Sequence, residues 1–135
     1  MAACPLDPPA CAALGLHSML VLPNIISDRG SRYAVSGGPC RSEAEARDFV
    51  KELCRRKKFA KATHHSWGLL TAEGPLKSDD GESGAGAVIL RMLEREEVAD
   101  HLVVVTRWYG GKHLGGDRFR HVQEAVRLYV EEARP

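Results

Sequence analysis

The sequence lacks an excess of charge of one sign, paired cysteines and a long apolar run, and each absence excludes a class of protein. Lysine and arginine number 19 against 18 acidic residues, giving a net charge of +1, so the overall balance does not demand a polyanionic partner. No run approaches the roughly 18 apolar residues of a membrane span, and no basic stretch precedes an apolar one at the N-terminus. We therefore expect a cytoplasmic protein with no membrane attachment.

The four cysteines are scattered along the chain as Cys4, Cys11, Cys40 and Cys54. They form no CxxC pair and no zinc-like spacing with histidine, which argues against a structural zinc site. Buried or free thiols in a reducing compartment are the expected state. We accordingly assign no metal and no cofactor from the sequence.

With 135 residues the chain is long enough for one domain with a modest core and too short for two domains with separate cores. Residues 1–16 are rich in proline and alanine and show no periodic pattern, which is typical of a flexible leader. We predict a leader over 1–16 and a single α/β domain over 17–135.

Apolar periodicity predicts four strands and three helices in the order β, β, α, β, α, β, α. The strands are expected over 19–26, 31–38, 63–71 and 101–107, and the helices over 42–58, over 85–97 and from Asp117 onward. This order predicts an α+β two-layer sandwich in which the helices pack on one face of a mixed four-stranded sheet. The segment 73–84 is expected to be a long polar loop.

Local signals refine these elements. Pro23 cannot donate to a sheet ladder, so the strand over 19–26 is expected to lie at an edge or to be broken. The continuous β-branched run over 101–106 is typical of a strand in the middle of a sheet or covered on both faces. Ser42 with Glu45 fits a capping box at the first helix, and Asp117 is the expected N-cap of the last.

Two polar, glycine-containing loops are expected to meet at one end of the sheet, which we call the rim. Only about three residues join the helix over 85–97 to the strand over 101–107, so the two run antiparallel and the helix begins near the strand's end. This places 77–86 beside 107–117, with two helix N-termini at the same rim. The candidate binding residues are Asp79, Asp80, Gly81, Glu82, Ser83 and Gly84 in the first loop, and Arg107, Trp108, Tyr109, Gly110, Gly111, Lys112, Gly115, Gly116, Asp117 and Arg118 in the second.

Several interpretations of the rim stay open. Its glycine spacing fits neither GxGxxG nor GxxxxGK[ST], which argues against a nucleotide-triphosphate site, and the glycines could serve the turns alone. Asp79, Asp80 and Glu82 could hold Mg²⁺ or transfer protons, although acidic residues before a helix also complement its dipole.

The second loop offers further alternatives. Arg107, Lys112 or Arg118 could pair with the acidic residues and fix the two loops together. Trp108 and Tyr109 straddle the strand's end, so alternation sends one toward the core and the other to the opposite face, where an exposed ring would be a partner-binding anchor. No set of nucleophile, base and orienting group can be named, which ranks an enzyme behind a non-catalytic binding domain.

A run of five cations closes the first predicted helix. It comprises Arg55, Arg56, Lys57, Lys58 and Lys61. Such a cluster can bind a phosphate backbone, which makes an RNA patch a candidate. Cations also belong in the last turn of a helix, where they complement its dipole, so a solvated helix end is the alternative.

Three segments together resemble the Impact family of translational regulators and its bacterial YigZ-like relatives. They are KATHHSWG (61–68), KSDDGESGAG (77–86) and VVVTRWYGGKHLGGDRFRH (103–121). The order and spacing agree over about residues 25–132. The family carries an Asp-Asp-Gly-Glu segment before one helix and an Arg-Trp/Tyr-Tyr/Phe-Gly-Gly segment before the last. The DRFRH sequence at 117–121 is similar to the eukaryotic version, whose C-terminal domain this chain resembles.

The resemblance implies a fold similar to the second domain of ribosomal protein S5 and a role in translation control or the amino-acid-starvation response. The implied partner is the activator of the general-control eIF2α kinase or another ribosome-associated factor. In the family that binding is associated largely with an N-terminal RWD domain, for which this sequence has no room. Gly86 and Leu114 also match the family's two motifs, in addition to the rim residues named above. An RNA- or ribosome-binding module is the alternative function, and a metal- or phosphate-dependent enzyme is the third.

Overall fold

The computed structural model describes residues 19–134. The leader predicted over 1–16 lies outside the described residues. The strands are β1 (Leu20–Asp28), β2 (Ser31–Pro39), β3 (His64–Thr71), β4 (Gly74–Ser78) and β5 (His101–Trp108). The helices are α1 (Glu43–Leu53), α2 (Lys57–Ala60), α3 (Ala85–Arg95) and α4 (Asp117–Ala133).

The five strands form one sheet in the order β1-β2-β5-β3-β4, and every neighbouring pair runs antiparallel. β5 lies at the centre, as its continuous apolar run predicts. β1 lies at an edge, and its register with β2 shifts between Leu22 and Ile26, around Pro23. Both strand predictions are confirmed, because Pro23 interrupts the ladder where it has no N–H to donate.

The prediction of a mixed four-stranded sheet is wrong, since a fifth strand, β4, lies inside the segment 73–84 that was expected to be a loop. The Thr71 hydroxyl donates to the Gly74 carbonyl oxygen at 2.8 Å and closes the turn between β3 and β4. Gly74 has a φ of 128°, a conformation that glycine adopts without steric cost. Pro75 and the polar neighbours conceal the strand in the sequence, but proline is tolerated on an edge strand.

The prediction that helices cover one face of the sheet is also wrong, because helices pack on both faces. One core joins α3 and α4 to alternate residues of the central strand, Val103 and Val105. The other core joins α1 and α2 to the residues that alternate with them, Leu102 and Val104. Successive side chains of a strand point to opposite faces, so an uninterrupted apolar strand needs cover on both. The result is an open antiparallel sheet between two helical layers.

The first helix begins as predicted and ends earlier. Ser42 is its N-cap, with its Oγ accepting from the Glu45 N–H at 3.1 Å. The helix stops at Leu53, and the cationic segment forms a separate short helix, α2, after an extended Arg56. This corrects the single helix over 42–58. The break turns Phe59 inward, where it is 4% exposed within the second core.

Candidate functional site

The two predicted loops meet at one end of the sheet, next to the first residues of α3 and α4. Glu82 of the acidic loop (79–84) bonds to Arg107 at the end of β5 and lies beside Arg118 in the first turn of α4. A Cβ atom added to Gly84 would lie 3.0 Å from the Phe119 ring, which shows how closely the two helix starts approach. The predicted meeting of the two loops is confirmed.

A buried ion pair closes the rim. Glu82 is 3% exposed and Arg107 is 5% exposed. Arg107 Nη1 donates to both carboxylate oxygens of Glu82, at 3.1 and 3.0 Å, and Arg118 Nη1 lies 3.4 Å from one of them. Of the interpretations left open by the sequence, ionic pairing across the rim is the one observed. Lys112, the third cation considered, is exposed and forms no salt bridge within residues 19–134.

Asp79 caps the start of α3 through backbone contacts. Its carboxylate oxygens accept from the N–H groups of Gly84 at 3.0 Å and Gly86 at 2.8 Å. Burial disfavours the charged carboxylate, but these two hydrogen bonds and the nearby Lys77 outweigh it and lower the pKa of Asp79. The side chain is therefore an ionised cap of two N–H groups that the helix itself leaves unpaired.

Asp80 ties the acidic loop to β3. Its Oδ2 accepts from the His65 backbone N–H at 2.7 Å, and its carbonyl oxygen lies 2.8 Å from His64 Nδ1. With Asp79 on a helix start and Glu82 on two arginines, the contacts of all three carboxylates are accounted for by the protein itself. Among residues 19–134 no three histidine, cysteine or acidic side chains converge in a way that could hold a metal ion.

A third segment, the β1–β2 hairpin turn (28–31), completes the rim. The SDRG sequence predicts the turn itself, but its contact with the two loops was not predicted. Ser31 Oγ accepts from Arg107 Nη2 at 3.3 Å and from the Gly110 N–H at 3.1 Å. Gly30 and Gly110 touch through their backbones, since a Cβ on Gly110 would lie 2.0 Å from the Gly30 carbonyl carbon. Arg29 pairs with Asp117. The polar SDRG sequence of the turn is the signal that could have drawn attention to it.

Asp117 does not cap α4, so that prediction is wrong. The N-cap is Gly116, which makes no side-chain cap bond, and Asp117 is the first helical residue. Its carboxylate is directed to Arg29 of the hairpin turn and to Arg120 at 2.9 Å. The acid therefore fixes the helix start to the hairpin and still complements the helix dipole from the first turn.

The remaining glycines of the second loop serve its turns. Gly111 has a φ of 92° and Gly115 a φ of 58°, both in the left-handed region that favours glycine. A Cβ on either residue, or on Gly116, would meet no atom of residues 19–134 within 4 Å. Between them Leu114 is 4% exposed and anchors the loop in the core under α4. The backbone of this loop is therefore exposed, and the buried Leu114 side chain attaches the loop to the core.

At the end of β5, Trp108 is half-buried and Tyr109 is exposed. Trp108 is half-buried, with its Nε1 donating to the Lys58 carbonyl oxygen at 3.0 Å and Phe59 in edge contact at 5.2 Å between ring centroids. Tyr109 is 44% exposed, and its backbone N–H donates to Thr63 Oγ1 at 2.9 Å. The exposed ring predicted as a partner-binding anchor is therefore that of Tyr109.

The five cations of the predicted RNA patch are all exposed, on α2 and beside it. Arg55 pairs with Glu52 at 3.1 Å. Lys58 Nζ lies 5.4 Å from the centroid of the Trp108 ring. The contact between Lys58 and Trp108 joins this cationic segment to the end of β5, which sequence analysis left as a separate region.

Comparison with known proteins gives the chain a family. The family sequence model of the Impact N-terminal domain matches residues 29–130, from the hairpin turn to near the end of α4. The chain belongs to the Impact family. The resemblance suggested the C-terminal domain, and this detail is wrong, because the matching model is that of the N-terminal domain.

Curated members of the Impact family are identical to this chain at about one aligned residue in three. A Protein IMPACT homolog of Schizosaccharomyces pombe is 34% identical over 110 residues, which span 78% of this chain and 39% of the relative. Protein IMPACT of Xenopus laevis is 35% identical over 113 residues, spanning 79% of this chain and 36% of the relative. The chain thus spans less than half the length of these relatives.

Two solved structures share the fold. The crystal structure of a hypothetical protein superposes with a TM-score of 0.70 at 24% identity, covering 84% of this chain and 61% of the other. The structure of the two-domain translational regulator Yih1 superposes with a TM-score of 0.54 at 29% identity, covering 98% of this chain and 51% of the other. No helix within residues 19–134 is long and apolar enough to cross a membrane.

Burial and hydrogen bonding separate the predicted site residues into two groups. Asp79, Glu82 and Arg107 are engaged with other parts of the domain and hold the rim together. Tyr109 and Lys112 project from it as exposed residues. The first group gives the rim its shape, and the second belongs to the surface available to a ligand.

Proposed function

We propose that this Impact-family domain is a non-catalytic binding domain that acts in translation control through a protein partner. One observation carries the proposal: the charged residues of the acidic loop make internal contacts, so the loop is a built structure rather than a set of free reactive groups. Glu82 bonds to Arg107, and Asp79 bonds to the N–H groups that begin α3. The rim then presents Tyr109 and an exposed backbone turn to solvent.

The named relatives support a role in translation. The structure with a TM-score of 0.54 is that of a two-domain translational regulator, and this chain corresponds to 51% of it. The partner proposed is the activator of the general-control eIF2α kinase or another ribosome-associated factor, engaged in the cytoplasm during amino-acid starvation.

A capture experiment with a matched control tests this function. Tagged wild-type chain and the Tyr109→Ser/Lys112→Ser variant are incubated with extracts of fed and starved cells, and captured proteins are quantified by mass spectrometry. Arg91→Ser, an exposed cation on α3, is the control. We expect a translation factor or ribosome-associated protein to be enriched by wild type and by Arg91→Ser, and at least about fivefold less by the rim variant, as loss of about 1 kcal/mol implies. Recovery of no such protein contradicts the proposal.

An RNA- or ribosome-binding module is the second candidate, and the exposed cations of α2 favour it. Binding through phosphate neutralisation weakens steeply with salt because counterions are released. The predicted similarity to the second domain of ribosomal protein S5 supports this candidate by analogy of fold alone. Titration of a fluorescent single-stranded RNA at increasing salt tests it. RNA binding that is absent or insensitive to salt removes the candidate.

A further inference from the structure

A cluster of exposed cations lies on α2 and beside it. Arg56, Lys57, Lys58 and Lys61 are exposed, and within residues 19–134 none of them forms a salt bridge. The cluster is therefore a local excess of positive charge on a chain whose net charge is only +1. Such a local field attracts acidic groups and speeds their association.

Aromatic residues give this cluster a fixed position beside the rim. Trp108 holds α2 through the hydrogen bond to the Lys58 carbonyl oxygen and the edge contact with Phe59. The Thr63 N–H donates to the Arg107 carbonyl oxygen at 2.9 Å, so the chain that follows α2 is bonded to the end of β5. Tyr109 lies immediately beyond. We call Arg56, Lys57, Lys58, Lys61, Trp108 and Tyr109 the basic-aromatic surface.

The two aromatic rings are poorly arranged for stacking nucleic-acid bases. Lys58 Nζ lies 5.4 Å from the Trp108 ring centroid, and the Arg107 guanidinium lies 5.6 Å from that of Tyr109. His113 also contacts Tyr109, at 5.9 Å between centroids. Single-stranded nucleic acid is bound by open aromatic faces along a cationic groove, and a cation already covers a face of each ring here. Carboxylates can reach the exposed lysines without access to either ring, and the exposed part of Tyr109 leaves room for one apolar contact beside them.

We infer that the basic-aromatic surface binds an acidic segment of a protein partner, with carboxylates on the lysines of α2 and an apolar side chain against Tyr109. The inference rests on the proposed function and names the chemistry of its partner. Charge complementarity of this kind sets specificity and association rate, and it is weakened by salt. The exposed tyrosine adds a contact whose strength does not depend on salt.

Fluorescence anisotropy with defined probes tests the inference on the full 135-residue chain. The probe is a labelled short peptide of alternating glutamate and aspartate with one central tryptophan, and its glutamine and asparagine counterpart is the neutral control. The variant Lys57→Gln/Lys61→Gln is compared with Arg91→Gln/Arg95→Gln. The latter removes two cations from α3 that are also exposed and also free of salt bridges within the described residues.

We expect the acidic peptide to bind at low salt and to weaken as salt rises. Lys57→Gln/Lys61→Gln should raise Kd about tenfold, which corresponds to about 1.4 kcal/mol, and Arg91→Gln/Arg95→Gln less than about twofold. Tyr109→Ser should raise Kd by about threefold and leave the salt dependence unchanged. Circular dichroism verifies that each variant is folded. Recovery of binding in Lys57→Arg/Lys61→Arg would support a charge contact.

Three outcomes overturn the inference. The first is equal binding of the neutral and acidic peptides, and the second is equal loss in the two double variants. The third is tighter binding of an oligouridine RNA that Lys57→Gln/Lys61→Gln removes, which would assign the surface to nucleic acid. If the acidic peptide does not bind but the chain still enriches a translation factor, the inference alone fails. If the peptide binds and no such factor is captured, the proposed function alone fails.

Discussion

Replacing Glu82 by glutamine should destabilise the domain strongly, although the two side chains have the same shape. The Arg107 side chain is only 6% exposed, and its principal partner is the Glu82 carboxylate. Glutamine keeps one acceptor oxygen and introduces an NH₂ group that faces a guanidinium. The variant therefore leaves a buried cation without a compensating charge, with the glutamine oxygen and Ser31 Oγ at 3.3 Å as its remaining side-chain acceptors.

The magnitude follows from the burial of each partner. Removing one member of a buried ion pair costs about 3–5 kcal/mol. Arg118, whose side chain is 32% exposed, lies 3.4 Å from Glu82 and contributes as a surface cation would, at about 1 kcal/mol or less. We take about 3 kcal/mol as the expected loss for Glu82→Gln, which lowers the melting temperature of a domain this size by about 10 °C.

Urea denaturation followed by tryptophan fluorescence and far-UV circular dichroism measures this loss. Glu43→Gln is the matched control, because Glu43 also pairs with an arginine, Arg47, but both side chains are largely exposed and the expected loss is below about 1 kcal/mol. The Glu82→Met/Arg107→Met double variant should lose at least about 2 kcal/mol less than the sum of the single variants. A loss below about 1 kcal/mol for Glu82→Gln, or additive single losses, would refute the reasoning.

The backbone contact and a buried histidine give two further predictions. Gly110→Ala should cost about 2 kcal/mol or more, because its Cβ would lie 2.0 Å from the Gly30 carbonyl carbon. Gly116→Ala, whose Cβ would meet no atom of the described residues within 4 Å, should cost less than about 1 kcal/mol as an N-cap substitution in the same denaturation assay. Equal stability of the two variants would contradict this. Burial lowers the pKa of His101 from 6.5 to about 4, so its contribution to stability is complete above about pH 6.5 and is lost as pH falls toward 4, by up to about 3 kcal/mol. His101→Asn should flatten that part of the stability-versus-pH curve; parallel curves for the variant and wild type would exclude the assignment.

Those elements of the fold that depend on local chemistry could be predicted from the sequence. The capping serine Ser42, the broken edge strand at Pro23 and the central strand over 101–106 each follow from the residue types at those positions. β4 could not be found in this way, because Pro75 and polar neighbours make an exposed edge strand look like a loop. The second helical layer was missed for a different reason. The continuous apolar run of β5 already indicates that helices pack on both faces of the sheet. The prediction of helices on one face followed instead from the order of the strands and helices.

The rim shows where sequence reasoning ends. The short link between α3 and β5 was enough to predict that Glu82 lies near Arg107, because it makes the two elements antiparallel and places the start of α3 beside the end of β5. The link could not tell a metal site from an ion pair, because that choice depends on burial and on the position of each oxygen. The contact between Ser31 and Gly110 joins residues 79 positions apart, and no local pattern reports it. Long-range backbone contacts of this kind become visible only once the sheet is assembled.

Buried and exposed rim residues differ in what their presence in a family member indicates. Buried residues indicate that the rim keeps its structure, and exposed residues bear on what it binds. Asp79, Glu82 and Arg107 bond to other parts of the domain, so a sequence that keeps them keeps the rim, whatever the rim binds. The exposed side-chain ends of Tyr109 in the rim and of Lys57 in α2 make no such bond within residues 19–134, so changing them should alter binding while the domain stays folded. Two kinds of variant therefore separate the roles. Loss of binding in Glu82→Gln should follow the fraction unfolded, whereas loss in Tyr109→Ser should occur at unchanged stability.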